Sequence, residues 1–293
     1  MLAQQIANGI AAGSTYALFA LGFTLMFGVL GVINLTYGFY FSAGAGLALY
    51  LTAALSVPIW LAVPLASASA GLAAILLDWM LLTRLRHAKA PELASLMVTL
   101  GATLFLYSVA TAIFGTDIRR FPAAVFEGGA FEIGGVRLTL SQLLIVATAG
   151  FAVAILLFVM RGTRIGLAIR ALAENSDAAQ LMGVNAGATM RLVSFISGAL
   201  GALAGILAGL NYNAIQPYMG EAMMLKGFAV IILGGLGDIR GALFAGLAVG
   251  LLESLTAGYA ASTWKEAVGF VLLVLTLWVR PAGFFGRASV RRA

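Results

Sequence analysis

From Met1 to Leu77 the chain contains no Asp, Glu, Lys, Arg or His. A water-soluble fold needs charged side chains across its exterior, so an uncharged run of this length places the chain in lipid. Further uncharged runs cover 93–116, 138–160 and 192–220, and each exceeds the ~20 helical residues that cross a bilayer core. Within lipid every backbone N–H and C=O must be bonded internally, which a helix does segment by segment. The expected fold is therefore all-α, a polytopic transmembrane helix bundle of eight or nine spans, forming a single domain over 1–293.

Composition removes whole classes of chemistry. There is no cysteine, so disulfides, thiol catalysis and thiolate metal sites are excluded, and the single histidine, His87, makes no cluster. The phosphate-binding signature Gly-x-x-x-x-Gly-Lys-Ser/Thr does not occur, nor does a Ser/His/Asp or paired-carboxylate arrangement. No catalytic residue, cofactor or metal is expected, and the chain cannot hydrolyse ATP alone. The net charge of +6 sits mostly in short loops between apolar runs, which is a topology signal and not a nucleic-acid footprint.

The spans are expected at 5–28, 35–55, 59–82, 93–114, a fifth capped by Ser141 and ending at Met160, then 192–212, 225–237, 241–257 and 268–279. Met1 lacks a basic n-region and no cleavage site follows, so the first segment reads as retained. Pro91 sits at a helix start. The polar stretch 115–140 reads as an extended loop with a hairpin around Phe131 to Leu138. Counting 225–237 and 241–257 as separate passes gives nine spans; an eight-span count makes one of them re-entrant. With 161–191 cytoplasmic, alternation puts twelve basic residues inside and leaves Arg119, Arg120, Arg137, Lys226 and Lys265 outside. That asymmetry predicts a periplasmic amino terminus, a cytoplasmic carboxyl terminus and residence in a bacterial inner membrane. Gly28-Val-Leu-Gly-Val-Ile33 and Gly234-Gly-Leu-Gly-Asp-Ile239 share four identities, a hint of parallel duplication.

Small residues recur at helical spacing: Gly9 and Gly13, then Gly201, Gly205 and Gly209, then Gly246 and Gly250. Such spacing lets helix backbones approach closely and reads as tight packing. Asp78 and Glu253 are the only acids within the spans. Each is expected near a helix end in reach of water; Glu253 fits either a polar cavity or an interfacial helix end. Asn34, Tyr37, Asn211, Asn213 and Glu253 are the candidate lining of a translocation pathway, although Asn211-Tyr212-Asn213 with Pro217 reads equally as an interfacial end with an aromatic anchor.

The segment 161–191 is polar and does not span. Arg170 and Glu174, four apart, share a helix face and can pair. Asn175 or Ser176 can cap a second short helix, Asp177 suits its positive end, and Gly183 suits the left-handed position that closes it. The expected product is two short surface helices exposing Leu172, Leu181, Met182 and Val184, a knob suited to a groove on another protein. An amphipathic helix on lipid headgroups is the alternative, but the small alanines and mixed charge favour it less. Arg170, Glu174, Asp177, Leu181, Met182 and Gly183 are thus the candidate contacts to an energy-supplying partner.

Three stretches carry a family resemblance: Gly28-Val-Leu-Gly-Val-Ile-Asn-Leu-Thr-Tyr-Gly38, then Gly166-Leu-Ala-Ile-Arg-Ala-Leu-Ala-Glu-Asn175 with Leu181-Met-Gly-Val-Asn185, then Val230-Ile-Ile-Leu-Gly-Gly-Leu-Gly-Asp-Ile-Arg-Gly-Ala242. In order and over nearly the whole chain, they resemble the permease subunits of branched-chain amino acid ABC importers, specifically the shorter H-type subunit. Members commonly have Ala-His where this chain has Thr36-Tyr37, and Ser-Ile-Pro-Gly where it has Asp238-Ile-Arg-Gly241. The resemblance implies a heteromeric importer: this permease, a second related permease, two cytoplasmic ATPases and a periplasmic solute-binding protein. It implies leucine, isoleucine and valine as solutes, with urea, short amides and aromatic acids as the alternative. An ion-driven secondary transporter would need coupling-ion ligands in the membrane, and the first 77 residues offer only neutral ones.

Overall fold

The computed structural model describes residues 2–88, 90–122, 130–133, 136–260, 262–280 and 283–286. Among them the long helices are α1 (Leu2–Leu30), α2 (Thr36–Ala53), α3 (Ile59–Leu77, continuing through a π-helical turn at Asp78–Leu82 into Thr83–His87), and α4 (Glu92–Phe114). A hairpin of β1 (Ala130–Ile133) and β2 (Val136–Thr139) precedes α5 (Leu140–Gly162). Two short helices, α6 (Arg164–Glu174) and α7 (Ser176–Leu181), lead to α8 (Ala186–Tyr212), α9 (Met219–Gly234), α10 (Ile239–Tyr259) and α11 (Lys265–Val279). The all-α transmembrane bundle expected from the charge-free runs is what forms. Six helices, α1, α3, α4, α5, α8 and α10, are long and apolar enough to cross a bilayer. At 1.5 Å per residue, α2, α9 and α11 reach only ~22–27 Å, short of the ~30 Å hydrocarbon core.

Their shortness has a local cause. α1 ends at Leu30, Gly31 takes φ +66°, and the chain turns back into the bundle before α2 begins. Tyr37, in the first turn of α2, packs its ring on Gly22 of α1 and Gly201 of α8, more than halfway along both. α9 also starts inside: a side chain on Gly220 would overlap the backbone of Gly38, and the Gly220 N–H donates to Ser42 Oγ at 2.8 Å. Two helix amino termini therefore meet within the bundle, on backbone that only glycine allows so close.

The most enclosed spans are α1 and α8, with 83% and 72% of their most apolar windows buried, whereas α3, α4 and α5 have 17 to 28% and form the periphery. Their outward faces carry Phe105, Phe151 and Phe158, as lipid or another subunit requires. The central seam is α1 against α10, where Gly9 and Gly13 face the backbones of Leu251 and Leu247, and Gly246 and Gly250 face Ala17 and Gly13. The periodic glycines do pack helices, as their spacing predicts. The hairpin at Phe131 and Leu138 also forms, those two residues being paired. It docks on the start of α1: Gln4 Nε2 donates to the Arg137 carbonyl at 3.0 Å and accepts through Oε1 from the Arg137 N–H at 2.9 Å.

Several expectations shift. The fifth long helix is capped by Thr139, whose Oγ1 accepts from the Gln142 N–H at 3.3 Å in a capping box. Ser141 lies inside the first turn, so it cannot serve. α8 starts at Ala186, taking Arg191 into the helix, because Asn185 caps it at 2.9 Å to the Ala188 N–H. α9 starts at Met219, which places Lys226 within the bundle and not in an outer loop. Glu127, the Gly128-Gly129 and Gly134-Gly135 pairs, Lys89, Arg287, Arg291 and Arg292 lie outside the described residues.

Candidate functional site

At the break between α1 and α2, Asn34 is buried and its Oδ1 accepts from the Thr36 N–H at 3.0 Å and the Thr36 hydroxyl at 2.6 Å. The side chain takes the place of a missing helical turn and opens α2. Tyr37 is fully buried; its hydroxyl donates to the Phe19 carbonyl at 2.9 Å, and its ring stacks on Phe23 with centroids 5.3 Å apart. Both residues sit at the junction, with the Asn34 Oδ1 and the Tyr37 hydroxyl already bonded.

Asn213 does something else. It ends α8 in the left-handed conformation (φ 45°) and accepts from the Phe121 N–H at 3.0 Å. Arg119 and Ile215 exchange backbone hydrogen bonds beside it, at 2.8 and 2.9 Å. Asn213 therefore fastens the 115–122 loop to the end of α8, and Asn211 is half-buried in the last turn before it. The structure keeps these two apart from Asn34 and Tyr37.

Glu253 overturns the expectation of a water-facing acid. It is fully buried in α10, and its Oε2 accepts from the Tyr16 hydroxyl at 2.8 Å and from Lys226 Nζ at 3.1 Å. Lys226 Nζ also lies 3.0 Å from Oε1, in ionic contact without a directed hydrogen bond. Three helices, α1, α9 and α10, meet at this pair. Asp78 is likewise buried, 2.7 Å from Arg86 Nη2 along the same helix. The physical reason is the same for both: an acid in a span whose partner lies on the bundle side turns inward, since removing it from water is tolerable only when paired. Lys226 and Tyr16 escape a reading of the sequence, Lys226 because its helix begins seven residues before it. The signal was a lone lysine with apolar neighbours in 222–236.

The elbow α6–α7 is built from caps. Thr163 Oγ1 accepts from the Gly166 N–H at 3.1 Å, and Asn175 Oδ1 from the Ala178 N–H at 3.0 Å, so Asn175 and not Ser176 opens α7. Gly183 closes it with φ +87°. Gly166 lies so close to the carbonyls of Val159 and Met160 that any side chain would overlap them, which folds α6 back against α5. Ile169, Leu172 and Ala179 turn inward, and Leu172 is buried, not exposed, because α6 is amphipathic along its whole length and that stripe faces the bundle. Leu181 and Met182, at 88% and 86% exposure, project outward, and Val184 is half-buried. Arg170, Glu174 and Asp177 are exposed. The ion pairs among the described residues are those of Asp78 and Glu253, so the Arg170–Glu174 pair does not form. Both side chains are left free for another surface.

A glycine-packed bundle of apolar helices with re-entrant helix starts and a protruding elbow is the architecture of a polytopic membrane permease. The profile described as "Branched-chain amino acid transport system / permease component" matches residues 5–277, and the chain belongs to that family. It is 33% identical to the high-affinity branched-chain amino acid transport system permease protein LivH of Salmonella typhimurium, over 99% of this chain and 97% of the relative. To the corresponding protein BraD of Pseudomonas aeruginosa it is 32% identical, with the same coverage. A solved structure, PsaBC from Streptococcus pneumoniae in complex with Fab, is similar with a TM-score of 0.49 at 12% identity, covering 94% of this chain and 91% of that one.

Proposed function

We propose that the chain carries branched-chain amino acids across a bacterial inner membrane, paired with a second related permease, driven by two separate cytoplasmic ATPase subunits and fed by a periplasmic binding protein. The amino terminus, the hairpin and the 115–122 loop face the periplasm; the elbow and the carboxyl terminus face the cytoplasm. The observation that carries this reading is the elbow: two capped helices held rigidly by Gly166 and Gly183, presenting Leu181 and Met182 with Arg170, Glu174 and Asp177 around them. ATP-driven closure of the partners draws that elbow inward. The motion passes through α5 and α8 to the short helices α2 and α9, which shift about the Asn34–Tyr37 junction between outward-open and inward-open states.

The test is leucine uptake by the reconstituted assembly. Changing Glu174 to Arg, or Leu181 and Met182 together to Glu, should abolish ATP-dependent uptake while the permease still inserts. Parental uptake by either variant refutes the coupling role, and uphill pumping by the permease alone refutes the importer assignment.

A further inference from the structure

Beside the Lys226–Glu253 pair lies an open-sided cavity of about 280 Å³, lined by α1, α2, α8, α9 and the start of α11. This volume is close to the low end of small-molecule sites, ~300 Å³. Phe41, Met219 and Met223 form an apolar wall. Lys226 reaches in from the buried pair, and Lys265 and Glu266 stand at the opposite side. A second, larger cavity of about 770 Å³ lies between α2, α3 and α4, but its charged residues, Asp117, Arg119 and Arg120, are all exposed at the bundle end.

We infer that the smaller cavity is where the transported amino acid rests inside the permease, its carboxylate on Lys226 and Lys265, its ammonium on Glu266, and its side chain against Met219, Met223 and Phe41. This rests on the amino-acid reading above and adds the site. Two observations carry it. A buried ion pair is a poor device for stability alone, since apolar replacements of similar volume are often neutral or better. Lys226 keeps 16% of its side chain exposed, whereas Glu253 keeps none, and Lys226 lines the cavity, so the cation is the accessible half. Methionine walls adjust to aliphatic side chains of different branching, which suits leucine, isoleucine and valine together.

In this arrangement Glu253 holds Lys226 from behind while the exposed part of its ammonium meets the solute carboxylate. A solute without a carboxylate forgoes a charge-assisted contact and binds less tightly.

The experiment is uptake of labelled leucine by the full importer, with the binding protein's own affinity measured separately and co-purification of all subunits as the check on assembly. The neutral pair Lys226→Met with Glu253→Gln keeps the interior free of unpaired charge, so a purely structural pair predicts near-parental uptake. A binding role predicts a loss of about tenfold or more, the scale of one charge-assisted contact, with Lys226→Arg recovering part of it. Near-parental uptake by the double variant overturns the inference. Should that variant fail to assemble, Ala222→Trp fills the cavity from an exposed position without touching the pair; blocked uptake supports the site, and parental uptake overturns it. An unaltered importer that takes up none of the three amino acids instead overturns the substrate reading beneath.

Discussion

Gly250 and Gly150 should respond to alanine with opposite signs. In the α1–α10 seam, a Cβ on Gly250 would overlap the backbone of Gly13, and one on Gly246 would lie 2.5 Å from the Ala17 Cα. Ordinary carbon contacts need ~3.5–4.0 Å, so one methyl forces the helices apart by about 1 Å. A gap of that size forfeits a quarter to a half of each dispersion well along the seam, and overpacking of a filled core costs about 1–3 kcal/mol. Alanine returns about 1 kcal/mol of helix propensity, leaving Gly250→Ala destabilised by up to roughly 2 kcal/mol. Because lipid supplies no hydrophobic drive between helices, no apolar burial offsets the lost contacts. Gly150, on the exposed face of α5, has nothing within 4 Å of the point a Cβ would occupy. There only the propensity gain remains, up to about 1 kcal/mol. Thermal unfolding of the purified permease in detergent, followed by tryptophan fluorescence, reads both. Equal or reversed shifts for the two variants would refute close backbone packing as the source of the bundle's stability.

Other outcomes follow from single contacts. Tyr37→Phe removes the bond to the Phe19 carbonyl and should cost ~0.5–1.5 kcal/mol in the same unfolding assay, whereas Tyr37→Ala, which empties the space between Gly22 and Gly201, should cost ~3–5 kcal/mol. Asn175→Ala should weaken α7 by ~1 kcal/mol, read as several-fold faster hydrogen exchange at 177–182 with the spans unchanged. Asp78→Asn leaves Arg86 without its partner and should lower the unfolding temperature, and adding Arg86→Met should restore most of the loss.

In the proposed transport cycle the re-entrant starts of α2 and α9 would be the parts that move. Both helices are short, both begin on glycine-to-glycine contact, and Ser42 Oγ joins them by a single hydrogen bond. Their positive ends point into the bundle interior, where oriented N–H groups are otherwise scarce. A solute in the cavity beside Lys226 would touch α2 through Phe41 and α9 through Met219 and Met223, the two helices that the proposed cycle moves.

What the amino-acid order alone determined is everything set by local chemistry. Apolar runs placed the long helices to within about six residues at their ends, the largest misses being the starts of α8 and α9, the glycine periodicity named the packing faces, and Asn175 and Gly183 declared the ends of α7 through capping and left-handed geometry. The same local logic made 161–191 a surface elbow. Tertiary structure decided the direction of the ionisable groups and the depth at which helices begin. Whether Glu253 meets water or Lys226 depends on three helices far apart in the chain, and no spacing within any one of them encodes it. Asn34, a candidate pathway residue, spends its oxygen on opening α2, because the chain re-enters the bundle there. Leu172 looked exposed until α6 folded back on Gly166, a contact between elements that one-dimensional periodicity does not carry.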